Sequence, residues 1–156
     1  RMSELTASIG IAQLKKIDYI LKSAKENKYK IKNAIANLPG IKFRKFNDED
    51  GAQGDTLIFS LKLADDAIKF EKIFNENGFG TKILPEAIDW HFGGVWSHIL
   101  STFKHYKNED LEKRYQSTGD LLRRSICLNI PVHLEENQIN KLIETIKQAV
   151  SSVITV

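Results

Sequence analysis

The segment DWHFGGVWSHI, residues 89–99, gathers the side chains that are best suited to hold a polar ligand. Its aromatic and imidazole side chains are Trp90, His91, Phe92, Trp96 and His98. Indole and imidazole groups can stack on a polar ligand or hydrogen-bond to it, and the Gly93-Gly94 pair permits close approach of the backbone. The segment therefore favours a substrate-facing loop. The alternative is a buried plug whose aromatic rings fill the core.

The histidine spacing raises the question of a metal site. His91, His98 and His105 recur every seven residues, which would roughly align them on a helix. The Gly93-Gly94 pair interrupts such a helix, and no carboxylate or cysteine completes an obvious ligand set. We therefore predict no metal site.

Other catalytic patterns are missing from the sequence. GFGTK is too short for a phosphate-binding loop, and neither a nucleophile elbow nor a zinc-protease motif occurs. The one cysteine, Cys127, alternates with apolar residues in SICLNI, which predicts a buried strand cysteine. The pair Arg123-Arg124 is typical of a solvated surface. The residues alone therefore assemble no catalytic constellation.

Composition limits the class of protein. The 156 residues suit one domain, and the net charge of +3 comes from lysines that are spread over the chain. A nucleic-acid interface would need a concentrated basic patch, and a membrane span about 20 apolar residues. We expect a protein of the reducing cytoplasm with neither a nucleic-acid nor a membrane partner.

The first 38 residues show helical periodicity. Apolar residues fall at spacings of three and four from residue 3 to residue 38, Ser3 is a suitable N-cap, and Pro39-Gly40 ends the segment. A helix of this length would reach about 50 Å, which exceeds the width of a domain of this size. We expect one end to overhang or the helix to break near Glu26-Asn27. Gly10 inside the helix suggests close packing against another body.

The remaining pattern predicts an α+β domain. We predict strands over residues 41–46, 56–63, 80–84 and 125–130, and helices opened by Asp65-Asp66, near residues 109–115, in TGDLLRR and after Pro131. This order favours a small, mainly antiparallel sheet with helices on one face, joined to the long N-terminal helix. Residues 1–38 would form the connecting helix and residues 39–156 the domain.

Two short patterns predict the core. Leu57, Phe59, Leu61 and Leu63 would share one strand face. The last helix carries a stripe of Ile139, Leu142, Ile143, Ile146 and Val150.

Both ends of the chain resemble one enzyme family. The opening RMSELTASIGIAQLKKID and the ending TGDLLRRSICLNIPVHLEENQINKLIETI are similar to stretches of the DegT/DnrJ aminotransferases. The resemblance implies the small C-terminal domain of a fold-type I, pyridoxal-phosphate-dependent homodimer. That enzyme would move an amino group, with glutamate as donor, to a keto- or aldehyde-sugar. The chain would then be one part of a longer protein and inactive alone.

The same resemblance implies where residues act. The lysine that binds pyridoxal phosphate would lie upstream, so no catalytic or cofactor-binding residue is assigned here. Substrate-side contacts would come from the residues at the place of the family's sugar-facing loop and at the head of the opening motif. They are His91 first, then Trp90, Trp96 and His98, together with Arg1.

Alternatives stay open at this point. DWHFGGVW resembles the subgroup that makes 8-amino-octulosonate, a lipopolysaccharide core sugar, although this stretch departs from the family's usual tyrosine- and proline-rich pattern. The parent could instead be a sugar dehydratase, in which histidine replaces the lysine. A third possibility is a stand-alone module for binding or dimerisation.

Overall fold

The described chain forms an antiparallel sheet with helices packed on one face. A computed structural model describes residues 2–83 and 92–154, and everything below refers to these residues. Its strands are β1 (Lys42–Phe43), β2 (Thr56–Ser60) and β3 (Ser125–Asn129). Its helices are α1 (Glu4–Leu14), α2 (Ile17–Ile35), α3 (Ala64–Glu76), α4 (Ser97–Leu100), α5 (Leu111–Arg114), α6 (Gln116–Arg123) and α7 (Glu136–Val153). A 3₁₀ turn, Gly93–Val95, precedes α4.

The sheet has the order β1-β2-β3 within the described residues, and both pairings are antiparallel. Leu57 lies opposite Leu128, and Phe59 opposite Ile126, so the apolar residues of both strands share one face. All four are buried. The α+β class with a small antiparallel sheet is therefore confirmed.

The core lies between this sheet face and helices α2, α3 and α7. Phe59, Phe70 and Phe74 form a run of rings, with centroids 5.7 Å and then 5.1 Å apart. The predicted stripe of α7 is buried along its whole length. Complete burial of each such side chain contributes about 1.5–3 kcal/mol to the stability of the fold. The sheet face and α7 bury each other's apolar side chains, so each stabilises the other.

Helix α1 stands apart from that core. Ser3 caps it as predicted, because its hydroxyl accepts the Thr6 N–H at 3.2 Å. No residue of α1 is buried. Its exposed apolar side chains are Leu5, Ile9, Ile11 and Leu14. The expected overhang is thus confirmed for this end of the helix.

The helix breaks at Lys15-Lys16, so the prediction of a break near Glu26-Asn27 was wrong. The Lys16 N–H bonds the Gln13 carbonyl at 2.9 Å, which tightens the turn before α2 begins. Asn27 instead lies in mid-helix, where its side-chain amide donates to the carbonyls of Pro131 and Val132. The chain remains helical there because α2 is held against the segment that leads into α7.

Other differences occur at strand ends. Only Lys42–Phe43 of residues 41–46 pairs as a strand, and residues 80–83 make a single bridge, between Lys82 and Cys127. Leu63 is 56% exposed and not on the buried face as predicted. The chain has already turned into α3 there, because the Asp66 carboxylate accepts the Leu63 N–H at 3.2 Å.

The proposed division at residue 38 stays a prediction. Helix α2 supplies Ile31 and Ile35 to the same core cluster as the strands. Within the described residues, no helix combines the length and apolar character needed to cross a bilayer.

Candidate functional site

The predicted substrate residues are only partly described. Arg1, Trp90 and His91 lie outside the described residues. Trp96 is half-buried and directly precedes α4, and its carbonyl accepts the Leu100 N–H at 2.8 Å. His98 lies exposed on α4. The structure therefore places Trp96 and His98 on one helical turn, and their role as substrate contacts stays a prediction.

Phe92 fixes the position of this turn. Its side chain is 3% exposed although it does not join the main core cluster. A Cβ at Gly119 of α6 would lie 3.1 Å from the ring, and one at Gly94 would overlap it. Both glycines therefore make room for the ring. Phe92 is thus buried, as the plug interpretation predicts, but outside the main core cluster, and Trp96 is only half-buried.

A polar cleft of about 310 Å³ opens beside the Phe92 ring. Its charged lining consists of Asp110, Glu112, Lys113, Asp120 and Arg123. The Arg123 guanidinium lies 3.2 Å from Glu112 and 3.8 Å from Asp120. Carboxylates and a guanidinium in this arrangement can bond the hydroxyl groups of a polyol.

An ion pair braces the chain between α4 and α5. One terminal nitrogen of Arg114 lies 2.6 and 2.7 Å from the two carboxylate oxygens of Glu109. These bonds raise the pKa of the Arg114 guanidinium above its usual value. The guanidinium also lies 5.3 Å from the Tyr106 ring centroid. The brace thus ties the turns of residues 101–108 to α5.

Cys127 lies on β3 as predicted, but it is half-buried instead of buried. Burial raises the pKa of its thiol above the usual value, against the opposing charge of Lys82. The thiol form therefore predominates near neutral pH, which argues against a nucleophilic role.

Sequence reasoning missed a second cleft, which lies at the Thr56 end of β2. Lys28 and Arg44 line it, together with the loop of residues 47–55. A signal was available, because Lys28 falls between Ala24 and Ile31 on the apolar stripe of α2. A lysine at such a position is uncommon.

Comparison with known proteins identifies the family to which this α+β chain belongs. A model of the DegT/DnrJ/EryC1/StrS aminotransferase family matches residues 1–147. The chain belongs to this family. The resemblance noted at the two ends of the sequence is thereby confirmed.

Solved structures share the fold of this DegT/DnrJ chain. Spr1654 from Streptococcus pneumoniae, described as a sugar aminotransferase, in its PMP form has a TM-score of 0.75 at 16% identity, over 99% of this chain. PseC from Helicobacter pylori, an aminotransferase involved in the biosynthesis of pseudoaminic acid, gives 0.71 at 13% identity, over 97%. The GDP-4-keto-6-deoxy-D-mannose-3-dehydratase of E. coli gives 0.64 at 15% identity, over 92%.

The DegT/DnrJ chain spans slightly more than one third of these structures. It covers 36% of Spr1654, 38% of PseC and 35% of the dehydratase. At such low identities the match establishes the fold alone.

Proposed function

We propose that this chain is the C-terminal small domain of a pyridoxal-phosphate-dependent aminotransferase that acts on a keto- or aldehyde-sugar. The family match over residues 1–147 carries the proposal. Structures described as sugar aminotransferases support it, because the chain aligns with about a third of each one. We place the parent in cell-surface polysaccharide biosynthesis, as a cytoplasmic homodimer that uses glutamate as amino donor.

The cofactor would be held outside this chain. Pyridoxal phosphate supplies the electron sink that allows an amino group to be transferred. The cleft beside Phe92 does not fit it, because three carboxylates face two cations there and Arg123 is already paired. We therefore assign no catalytic or cofactor-binding residue here, and we place the lysine that binds the cofactor elsewhere in the parent.

The contribution of this domain would be to bind and orient the sugar. Trp96 and His98 would face it from the turn that Phe92 anchors, with Trp90, His91 and Arg1 completing the surface. A tryptophan ring can stack on the apolar face of a sugar while an imidazole bonds its hydroxyl groups. Anchoring of the turn by a buried ring would keep these groups in position.

Helix α1 would join the domain to the rest of the parent. Its four large apolar side chains, Leu5, Ile9, Ile11 and Leu14, are more than half exposed, and nothing lies within 4 Å of a Cβ built at Gly10. Exposed apolar surface of this kind is typical of an interface. We propose that the large domain of the parent covers this helix.

Absorption spectroscopy tests the cofactor assignment. We expect that pyridoxal phosphate added to the 156-residue chain forms no specific aldimine. A specific aldimine would give a saturable absorption band that substitution of one lysine removes. Such a band would overturn the assignment, because it would place the reactive lysine in this chain.

Kinetics of the parent test the substrate contacts. We expect Trp96→Ala and His98→Gln each to raise the KM for the sugar about tenfold, since one lost contact of 1–1.5 kcal/mol changes affinity by about that factor. His105→Gln is the matched control, because this exposed histidine of the same segment is not assigned to the site. Unchanged KM in both variants would remove Trp96 and His98 from the site.

A second candidate is a sugar dehydratase. The E. coli dehydratase, whose structure contains bound hydrated PLP, shares this fold, so the architecture suits either reaction. The residue of the parent at the aldimine position decides between them, since lysine indicates the aminotransferase and histidine the dehydratase. A stand-alone dimerisation module would be indicated by a stable oligomer of the chain in sedimentation and by no coding sequence upstream.

A further inference from the structure

The cleft at the Thr56 end of β2 contains a buried amine. Lys28 is 4% exposed, and its ammonium lies 4.4 Å from the centroid of the Phe46 ring. The Arg44 guanidinium lies 4.9 Å from the same centroid. Two cations therefore meet at one aromatic ring, and the ring contact lowers the cost of burying the Lys28 side chain.

Neither cation has an ion-pair partner among the described residues. The ammonium of Lys28 carries three N–H donors, and the described protein atoms supply it with a ring contact but no hydrogen bond. Burial lowers its pKa. Among the described residues, every side-chain polar atom that is closed to solvent has a hydrogen-bond partner. The Lys28 ammonium has no such partner, so it is open to solvent through the cleft that Lys28 lines.

The nearby carboxylates are partly occupied. Glu49 pairs with Lys32, and the Asp48 carboxylate accepts the Gly51 N–H at 2.9 Å. Asp55 accepts only a long bond of 3.4 Å from the Thr56 hydroxyl. Asp48 and Asp55 lie in the wall of the cleft, and their carboxylates can therefore accept further hydrogen bonds from a ligand.

The loop that covers the cleft is held in place. Lys25 bonds the carbonyl of Asp50, and Gly54 packs on the backbone of α2 with φ +87°. The volume of this open cleft is about 300 Å³, which is at the lower end of small-molecule sites. The cleft is thus a defined shape built by α2, the strand end and the loop.

We propose that this cleft binds an oxyanion, a phosphate or a carboxylate, of a small hydroxylated ligand, with Lys28 and Arg44 as its cationic contacts. An oxyanion supplies the acceptors that the two cations lack, and charged hydrogen bonds of this kind are the strong ones. Hydroxyl groups of the same ligand would donate to Asp48 and Asp55. These two carboxylates would repel a polyanion, so the ligand carries a single anionic group. The proposal does not depend on the aminotransferase assignment, because it uses none of the residues assigned to the sugar.

Heteronuclear NMR titration of the 156-residue chain tests the proposal. The probes are inorganic phosphate and acetate, each added at constant ionic strength against sodium chloride. We expect saturable shifts of the amides of residues 28, 44 and 51–56 with at least one probe. Saturation with phosphate alone would identify a phosphate site, and saturation with both a general oxyanion site.

The variants locate the binding groups. We expect Lys28→Met and Arg44→Gln each to raise the dissociation constant at least tenfold, and Lys30→Met to change it less than twofold. Lys30 is the matched control, because it lies exposed on the same helix and pairs with Glu136. Arg44 is exposed, so its variant tests the site even if Lys28→Met fails to fold. Shifts that rise without saturation, or that persist unchanged in Arg44→Gln, would overturn the proposal.

Discussion

Gly54 combines a left-handed backbone conformation with a close contact to the backbone of α2. Its φ of +87° is in the left-handed region, and a Cβ there would lie 2.6 Å from the backbone nitrogen of Lys25. Gly78 has a similar φ of +81°, but nothing lies within 4 Å of its Cβ position. Substitutions at these two positions can therefore distinguish the cost of a left-handed backbone from the cost of a steric clash with α2.

We expect Gly54→Ala to lower the free energy of unfolding by at least twice as much as Gly78→Ala. The left-handed backbone costs alanine about 1–2 kcal/mol at either position, and only Gly54→Ala must also displace the loop from α2. Urea denaturation of both variants measures the difference. Equal losses would show that the loop moves away from α2 without cost.

Cys127 gives a prediction for pH. Because burial raises its pKa, we expect alkylation by iodoacetamide to reach its half-maximal rate above the usual cysteine value of about 8.5. It is the one cysteine of the sequence, so mass spectrometry of the adduct reports it alone. The same measurement in guanidinium chloride is the control and should return to the usual value. A midpoint at or below that value in the folded chain would contradict the burial argument.

Single residues were predictable where the cause was local. The Ser3 cap follows from a hydrogen-bonding preference that acts within one turn. The exposure of Leu63 was not predictable, because the alternation of apolar and polar residues typical of a strand continues through Leu63, which already caps α3. The Lys28 cleft was not predicted either, since it forms only when the loop folds back onto α2.

Among the elements, α2 and α7 are coupled through the segment between β3 and α7. The Asn27 amide donates to the carbonyls of Pro131 and Val132 at 3.0 and 3.2 Å. This side chain of α2 therefore fixes the point from which the chain enters α7. It acts across more than one hundred residues of sequence, so periodicity alone could not reveal it.

We expect Asn27→Ala to lower the free energy of unfolding by about 1–3 kcal/mol, because two hydrogen bonds are lost. Asn27→Asp should cost more, since a carboxylate would face two carbonyl oxygens. Asn33→Ala is the matched control on an exposed position of the same helix and should change stability by less than about 0.5 kcal/mol. Thermal denaturation compares the three variants, and similar values for all of them would refute the coupling.

Long amphipathic elements were the best predicted and short ones the worst. The stripe of α7 fixes which of its residues are buried, since its period matches one helix face. The strand predicted at residues 41–46 is only two residues long, and the described part of the strand predicted at 80–84, residues 80–83, forms one bridge. Edge pairing depends on neighbours that the local pattern does not contain.

For the whole molecule, α1 is outside the cooperative unit. Removal of residues 1–14 should change the free energy of unfolding by less than about 0.5 kcal/mol, because none of the described residues in it is buried. An isolated helix of eleven residues is marginal in water, so its amides should exchange with solvent much faster than those of α7. Hydrogen exchange followed by mass spectrometry measures both regions. Slow exchange in α1 would show that the helix has a partner in solution.

The contact between α2 and α7 has a consequence during synthesis. The apolar face of α2 is synthesised before the helix that covers much of it, which is encoded about one hundred residues later. At about 5–20 residues per second, that face would wait several seconds for residues 136–153. A chaperone that shields nascent chains should therefore matter more for this domain than its size suggests.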